Sequence, residues 1–382
     1  MASGRVFLHV GLPKTGTTHI QETLWHNRAA ATAQGLLYPG YVASAHFHAA
    51  IDLQRSRYDA WVTPLADGAW DRLVEYVRRW PGDAVISSEL LATATHEQID
   101  RALASLAFAE VHVVCTARDL ARQVPSVWQE NVRNRHTESF HEFLSAIRRP
   151  APSPVGDLFW SYQNLSGVLA NWSRDIPAEW VHVVTVPARN APTGTLWRRF
   201  ASVTGLDPNA FDDPSHRDNH SLGFSQTELL RRVNLAMDAA VGWPQYLTVV
   251  KEYLSAKVLS AQKSRTDIVL PPSESTWVHD RAERFARQIK AAGYDVVGDL
   301  TELVPDETPG PELEPTESEL LATAVAALAN LAGRLPPNPD QDRTAERVKH
   351  ALRTFTEQHP PAMALRQLYW KGKAKVSWTR GR

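Results

Sequence analysis

Residues 11–18 read Gly-Leu-Pro-Lys-Thr-Gly-Thr-Thr, which places two glycines, a lysine and three hydroxyls within eight positions. The apolar run Val6–Val10 before them reads as a buried strand. Thr17–Trp25 after them has helical spacing, with Ile20 and Leu24 four apart. A glycine-bearing turn from strand to helix leaves several backbone N–H groups without partners, with the positive end of the helix dipole behind them. Such a turn binds an anion, above all a phosphate. Gly11 and Gly16 keep the spacing of the ATP and GTP loop G-x-x-x-x-G-K-[ST]. Thr17, however, stands where that loop has its lysine, and Lys14 precedes Gly16 by two. A plain tight turn explains neither the lysine nor the hydroxyls, so the segment reads as a phosphate loop of another kind.

Two more candidates follow apolar runs. In "CTARDLARQVPSVWQENVRNR", Arg118 ends the run that begins at Val111. Asp119 is placed to cap a helix, and Ser126 comes eight residues after the arginine. Arginine offers a planar fork matched to phosphate, and serine adds a hydroxyl donor. Glu89 stands just past "AVISS", Ala84–Ser88, where a carboxylate could take a proton. His46 and His48, in "SAHFHAA", are its rivals as base. As a metal site the pair lacks ligands, since only Asp52 lies near in sequence; His216 and His220 read the same way. Cys115 lies inside an apolar run and reads as a buried structural thiol.

The stretch Pro13-Lys14-Thr15-Gly16-Thr17-Thr18 resembles the 5′-phosphosulfate loop, P-K-[ST]-G-T-[ST], of sulfotransferases that use 3′-phosphoadenosine 5′-phosphosulfate (PAPS). The likeness is to a soluble bacterial-type member. It implies that Lys14, Thr15, Gly16, Thr17 and Thr18 hold the 5′-phosphosulfate, and that Lys14 stabilises the leaving oxygen as sulfuryl transfer proceeds. It also implies that Arg118 and Ser126 bind the 3′-phosphate, because an arginine at a strand end and a serine eight residues on do so in that family. The base of cytosolic members is a histidine and that of heparan-type members a glutamate, in both cases after the strand that "AVISS" represents. Glu89 takes that place here. PAPS is then the donor co-substrate, and no metal is expected.

The resemblance covers roughly residues 5–135 with specific motifs. One departure is that the late R-K-G-x-x-G-x-W-K segment of animal cytosolic sulfotransferases is absent. The nearest stretch is "HRDNHSLG", with Arg217, Asn219 and Ser221, so the adenine contacts are unassigned. The acceptor is a hydroxyl, or secondarily an amine, of a small molecule, a glycan or a lipid. Its pocket is expected from loops near 41–52 and 134–159. Two alternatives stand beside this reading. A small-molecule kinase with a degenerate loop is disfavoured by the lysine position and by the lack of a strand-end aspartate for magnesium. A catalytically silent nucleotide-binding protein is compatible with every proposed ligand.

These candidates need a scaffold that brings strand ends together. Gly35–Tyr38 reads as a short extended piece, and Trp180–Pro187 as a fourth buried strand. Helical patterns cover 70–80, 96–106, 226–238, 245–262 and 277–292. Strands alternating with helices predict an α/β fold with a central, mostly parallel sheet, whose ligands gather at the carboxyl ends of the strands. The resemblance makes this the P-loop NTPase-like sulfotransferase fold. We expect the α/β domain to span 1–305, an acidic proline-rich linker 306–319, and a helical, basic C-terminal extension 320–382. From Asp299 to Glu319 there are eight acidic residues, four prolines and no lysine or arginine, which reads as solvated chain. From Arg343 to Arg382 there are ten basic residues against two acidic, a cationic end that suits weak contact with an anionic surface.

Composition bounds the rest. The 382 residues are 43% hydrophobic and include 13 tryptophans, enough for a packed core. A net charge of −1 gives no sign of nucleic-acid binding. The single cysteine rules out an intrachain disulfide framework and suits a reducing compartment. Neither a signal-peptide pattern nor an apolar stretch of ~18 residues is visible, so the expected location is the cytoplasm.

Overall fold

The computed structural model describes residues 4–59, 63–149, 151–212, 221–262, 266–305 and 314–334. Six strands form its sheet: β1 (Arg5–Gly11), β2 (Leu36–Leu37), β3 (Asp83–Ser87), β4 (Glu110–Ala117), β5 (Val181–Thr185) and β6 (Asp295–Val297). The four expected apolar runs are β1, β3, β4 and β5, and two very short strands close the edges. All neighbours pair in parallel in the order β2-β3-β1-β4-β5-β6.

Parallel neighbours need crossovers, and helices supply them. Helices α1 (Thr17–His26) and α2 (Arg28–Ala33) lead from β1 to β2. Next, α3 (Ala45–Leu53) and α4 (Ala69–Arg78) lead to β3, and α5 (His96–Ser105) leads to β4. Between β4 and β5 the chain runs through α6 (Leu120–Arg133), α7 (Phe140–Arg148), α8 (Pro154–Gln163) and α9 (Leu165–Trp172). Between β5 and β6 come α10 (Thr195–Thr204), α11 (Phe224–Ala236), α12 (Trp243–Tyr246), a π-helical stretch Leu247–Leu259, and α13 (Ser275–Ala292). A last described helix, α14, covers Glu317–Arg334. By compactness the chain divides into Met1–Thr323 and Ala324–Arg382. Residues 306–313 of the expected linker, and the basic stretch from 335 on, lie outside the described residues.

Strand β1 is buried from Val6 onward, as a strand covered on both faces must be. Register puts Phe7 beside Val85 on one side and His112 on the other. Phe7, Val85, Val114 and Val184 pack in one cluster with Ile20 and Leu24 of α1 and Phe200 and Ala201 of α10. The chain leaves β1 toward β2 and β3 on one side, then crosses to β4 on the other. The carboxyl ends of β1, β3 and β4 therefore meet at a topological switch point, where open α/β sheets bind their ligands.

Candidate active site

The loop after β1 is shaped by left-handed backbone that favours glycine. Gly11 has φ +94°, and a Cβ there would sit 2.9 Å from both Cα and Cβ of Glu89. Glycine thus lets the loop pass directly beside the segment that follows β3. Gly16, at φ +85°, is the N-cap of α1, where a Cβ would strike the Leu196 side chain. Lys14 adopts the left-handed region at φ +67°, which costs a non-glycine residue roughly 1–2 kcal/mol. Strain of this kind, held by its surroundings, collects at functional sites. Helix α1 has neither a side-chain cap nor an acidic residue in its first turn, so its leading amides are left for an outside acceptor.

A buried hydrogen-bond chain fixes the loop from below. Thr15 donates its hydroxyl to Leu12 O at 2.5 Å and lies 2.6 Å from Thr116 Oγ1. His9 bridges Thr116 Oγ1 at 3.2 Å through Nε2 and Ser87 Oγ at 2.8 Å through Nδ1. Gln21 donates to Ser87 Oγ at 3.2 Å and to Glu89 Oε2 at 3.1 Å. One proton assignment satisfies every contact: Nε2–H of His9 donates to Thr116, Thr116 to Thr15, and Ser87 to Nδ1. Burial pushes the His9 imidazole down to about 3, so it is a neutral spacer. The Thr15 hydroxyl thus points into the protein, and its offering to an anion is its amide.

The second anion-binding candidate joins the first. Arg118 Nη1 donates to Lys14 O and to Ser126 Oγ, both at 3.3 Å. Asp119 accepts from Arg122 N at 2.9 Å, capping α6 as its position suggested. The Arg118 Nε is buried without a hydrogen-bond partner. Burial pushes this guanidinium down to about 10, reinforced by Arg122 and opposed by Asp119. A partly buried fork with long contacts and an idle, buried Nε gains from a bound oxyanion.

Lys14, Thr15, Gly16, Thr17, Thr18, Glu89, Arg118 and Ser126 all line one cleft of about 2010 Å³. Ser221 also lines it, whereas His216, Arg217, Asn219 and His220 lie outside the described residues. His46 does not line it, and both its ring nitrogens are engaged. Nε2–H donates to Pro39 O at 2.7 Å, and Nδ1 accepts from Ser87 N at 3.0 Å. Burial, opposed by Pro39, pushes His46 down to about 4. His48 is likewise outside the lining, lowered by burial and then by Arg72. Asp52 accepts from Gly68 N at 3.3 Å and Trp70 N at 3.1 Å, which makes it a tie for the start of α4. Among the described residues no group of three His, Cys, Asp or Glu side chains could hold a metal. Burial raises the thiol of Cys115.

Sequence reasoning missed four contributors. Glu130 lies one helical turn beyond Ser126 on α6, a signal that i,i+4 spacing carried. Lys251 sits on the π-helical stretch and has no local signature. Tyr58 and Tyr162 enter the cleft from the α3–α4 connection and from α8, with their hydroxyls 2.5 Å apart. Burial raises Tyr58, and the wall around the pair combines Leu90 and Phe159 with Arg57 and Gln163.

No protein-family model matches the sequence, and no curated protein matches it. A solved structure described as "Sulfotransferase Domain from the Curacin Biosynthetic Pathway" is similar at 11% identity and a TM-score of 0.35. The match covers 77% of this chain and 99% of that one. A likeness that slight says nothing about what this chain does. Among the described residues no helix is long and apolar enough to cross a membrane.

Proposed function

We propose that the protein transfers a sulfuryl group from PAPS to an acceptor hydroxyl. The observation that carries this reading is the convergence of two anion-binding features on one cleft. The loop with Lys14 and the uncapped start of α1 forms one, and the Arg118–Ser126 pair the other. They are joined by the bond from Arg118 to Lys14 O. A nucleotide with phosphates at both its 5′ and 3′ positions uses both, whereas ATP has no 3′-phosphate for Arg118.

In the proposed step the acceptor oxygen attacks sulfur in line. The new O–S bond forms as the bond from sulfur to the bridging phosphate oxygen breaks, and adenosine 3′,5′-bisphosphate leaves. Lys14 stabilises the charge that grows on the bridging oxygen, and the amides of the α1 start hold the 5′-phosphate. Glu89 accepts the acceptor's proton. Its carboxylate is oriented by Gln21, while His46 has no free nitrogen for the task. The wall around Tyr58 and Tyr162, with Leu90 and Phe159 beside Arg57 and Gln163, offers an acceptor both apolar surface and hydrogen-bond partners.

Two measurements test the reading. Calorimetry is expected to give tight binding of adenosine 3′,5′-bisphosphate and far weaker binding of AMP and ATP; a preference for ATP refutes it. Incubation with radiolabelled PAPS and fractionated extract of the source cells is expected to label an acceptor.

A further inference from the structure

Glu130 is a charged group in the cleft that the proposed chemistry does not use. It is on α6 one turn beyond Ser126, so the helix that carries the 3′-phosphate serine also presents this carboxylate. Its Oε2 pairs with Lys14 Nζ at 3.3 Å, and its Oε1 pairs with Lys251 Nζ at 3.1 Å. Arg133 Nη1 lies 3.6 Å from Oε2. Asn134 binds Lys251 Nζ at 2.5 Å and donates to Glu130 Oε1 at 3.4 Å. Burial pushes the Glu130 carboxyl up, but Lys14, Lys251 and Arg133 outweigh it and hold the group down to about 2.

We propose that Glu130 is the resting counter-ion of Lys14, which it holds until the donor's anionic groups take the ammonium over. Three features support this. First, the Lys14 contact, at 3.3 Å against 3.1 Å for Lys251, is the longer of the two, and both exceed the 2.7–2.9 Å of a strong charge-assisted bond. Second, the lysines occupy different oxygens, so Lys14 can leave without disturbing Lys251. Third, a partly buried carboxylate stripped of all its partners is disfavoured, and Lys251 and Arg133 keep Glu130 neutralised after Lys14 has turned to the donor. Glu130 is thus a positioning residue. It fixes where Lys14 waits and sets how strongly the empty loop competes with the donor for that charge. The identity of the donor rests on the sulfotransferase reading; the ion pair itself does not.

The test labels the full-length, donor-free protein with acetic anhydride and follows Lys14 by peptide mass spectrometry, with exposed Lys290 as internal reference. A lysine held against a carboxylate is less available to the reagent than one that is free. Glu130→Gln is expected to speed Lys14 labelling at least threefold. Lys251→Met, which leaves the carboxylate more available to Lys14, is expected to slow it at least twofold. A merely structural role moves both variants in one direction, and equal rates or a common direction overturn the proposal. Should Glu130→Gln not fold, the Lys251→Met rate decides alone, and no slowing sinks the idea. In a second arm, calorimetry on Glu130→Gln is expected to give at least threefold tighter binding of adenosine 3′,5′-bisphosphate than wild type. Equal or weaker binding overturns the competition. Wild-type protein that binds no bisphosphate removes the sulfotransferase reading and with it the competition, whereas the labelling rates still decide the counter-ion role.

Discussion

Replacing Arg118 by methionine separates its work in binding from its work in the fold. In the protein as it stands, the guanidinium makes two contacts at 3.3 Å and leaves its buried Nε without a partner. Hydrogen bonds of that length lie at the weak edge of the useful range. Removing a cation that burial has already disfavoured therefore costs the fold little, and the methionine stem refills much of the space. We expect Tm to change by no more than about 3 °C, the shift that roughly 1 kcal/mol gives in a domain of a few hundred residues. Binding is another matter. Two charge-assisted bonds to a 3′-phosphate, at about 1.5 kcal/mol each, amount to about 3 kcal/mol, or roughly 100-fold in Kd for adenosine 3′,5′-bisphosphate. AMP lacks that phosphate, so its Kd should change less than about threefold on the same arithmetic. Titration calorimetry of both nucleotides against wild type and variant gives the ratio directly. A parallel loss for AMP and the bisphosphate, or a drop in Tm well beyond the stated range, means that Arg118 is a strut for the Lys14 carbonyl. The 3′-phosphate assignment then fails.

Lys14→Ala should lower kcat by about 10²-fold or more, the scale of losing one preorganised charge at a leaving group, with a smaller change in bisphosphate Kd; the reverse split contradicts its role at the bridging oxygen. Activity should survive EDTA, and strict dependence on a divalent ion would mean that the lysine-centred step is incomplete. Glu89→Gln should cost roughly 10²–10⁴-fold in kcat with nucleotide affinity unchanged, as for loss of a general base, and an active variant refutes the assignment. Burial holds His9 and His46 neutral, with values of about 3 and about 4 against an ordinary 6.5. The unfolded chain therefore binds protons that the native protein refuses, and stability is full above pH 6.5 and falls below it. Between pH 6.5 and 5, above the range where carboxylates titrate, each histidine should remove about 1.7 kcal/mol in all, along a slope that steepens toward about 1.4 kcal/mol per pH step. A Tm that stays flat across that window is inconsistent with both burials.

Much of the fold was legible because parallel strands covered on both faces must be continuous apolar runs. Phe7-Leu8-His9-Val10, Ala84-Val85-Ile86 and Val113-Val114-Cys115 could hardly be anything else once glycines and helical patterns bounded them. The pieces that escaped lack that pressure. Strand β6 is three residues at an edge, only partly buried; at the other edge β2 does fall within the extended piece read at Gly35–Tyr38, but it is only two residues long. Helices α7 to α9 follow one another across short connections, where apolar periodicity blurs, although Ser139 and Glu142 form a capping box that announces α7. The expected helix over 245–262 is present largely as the π-helical stretch Leu247–Leu259. Its wider winding has no signature in 3.6-residue spacing.

The site divides along the same line. Residues that must sit at a strand end or a helix start, such as Lys14, Glu89 and Arg118, carry their position in the sequence, because the chain can reach the switch point only there. What those residues touch is not local. Lys14 meets Glu130 across 116 positions, and Glu130 meets Lys251 across 121. No spacing rule spans such distances, since their closeness follows from how α6 and the π-helical stretch pack beside the loop. The same holds for His46. In sequence it is half of a suggestive pair, and only the fold hands its two nitrogens to Pro39 and Ser87. A histidine whose donor and acceptor are both spent on backbone cannot take a proton from an acceptor without breaking a buried bond. That cost, more than any feature of Glu89 itself, is why the carboxylate, and not His46, is the base we propose.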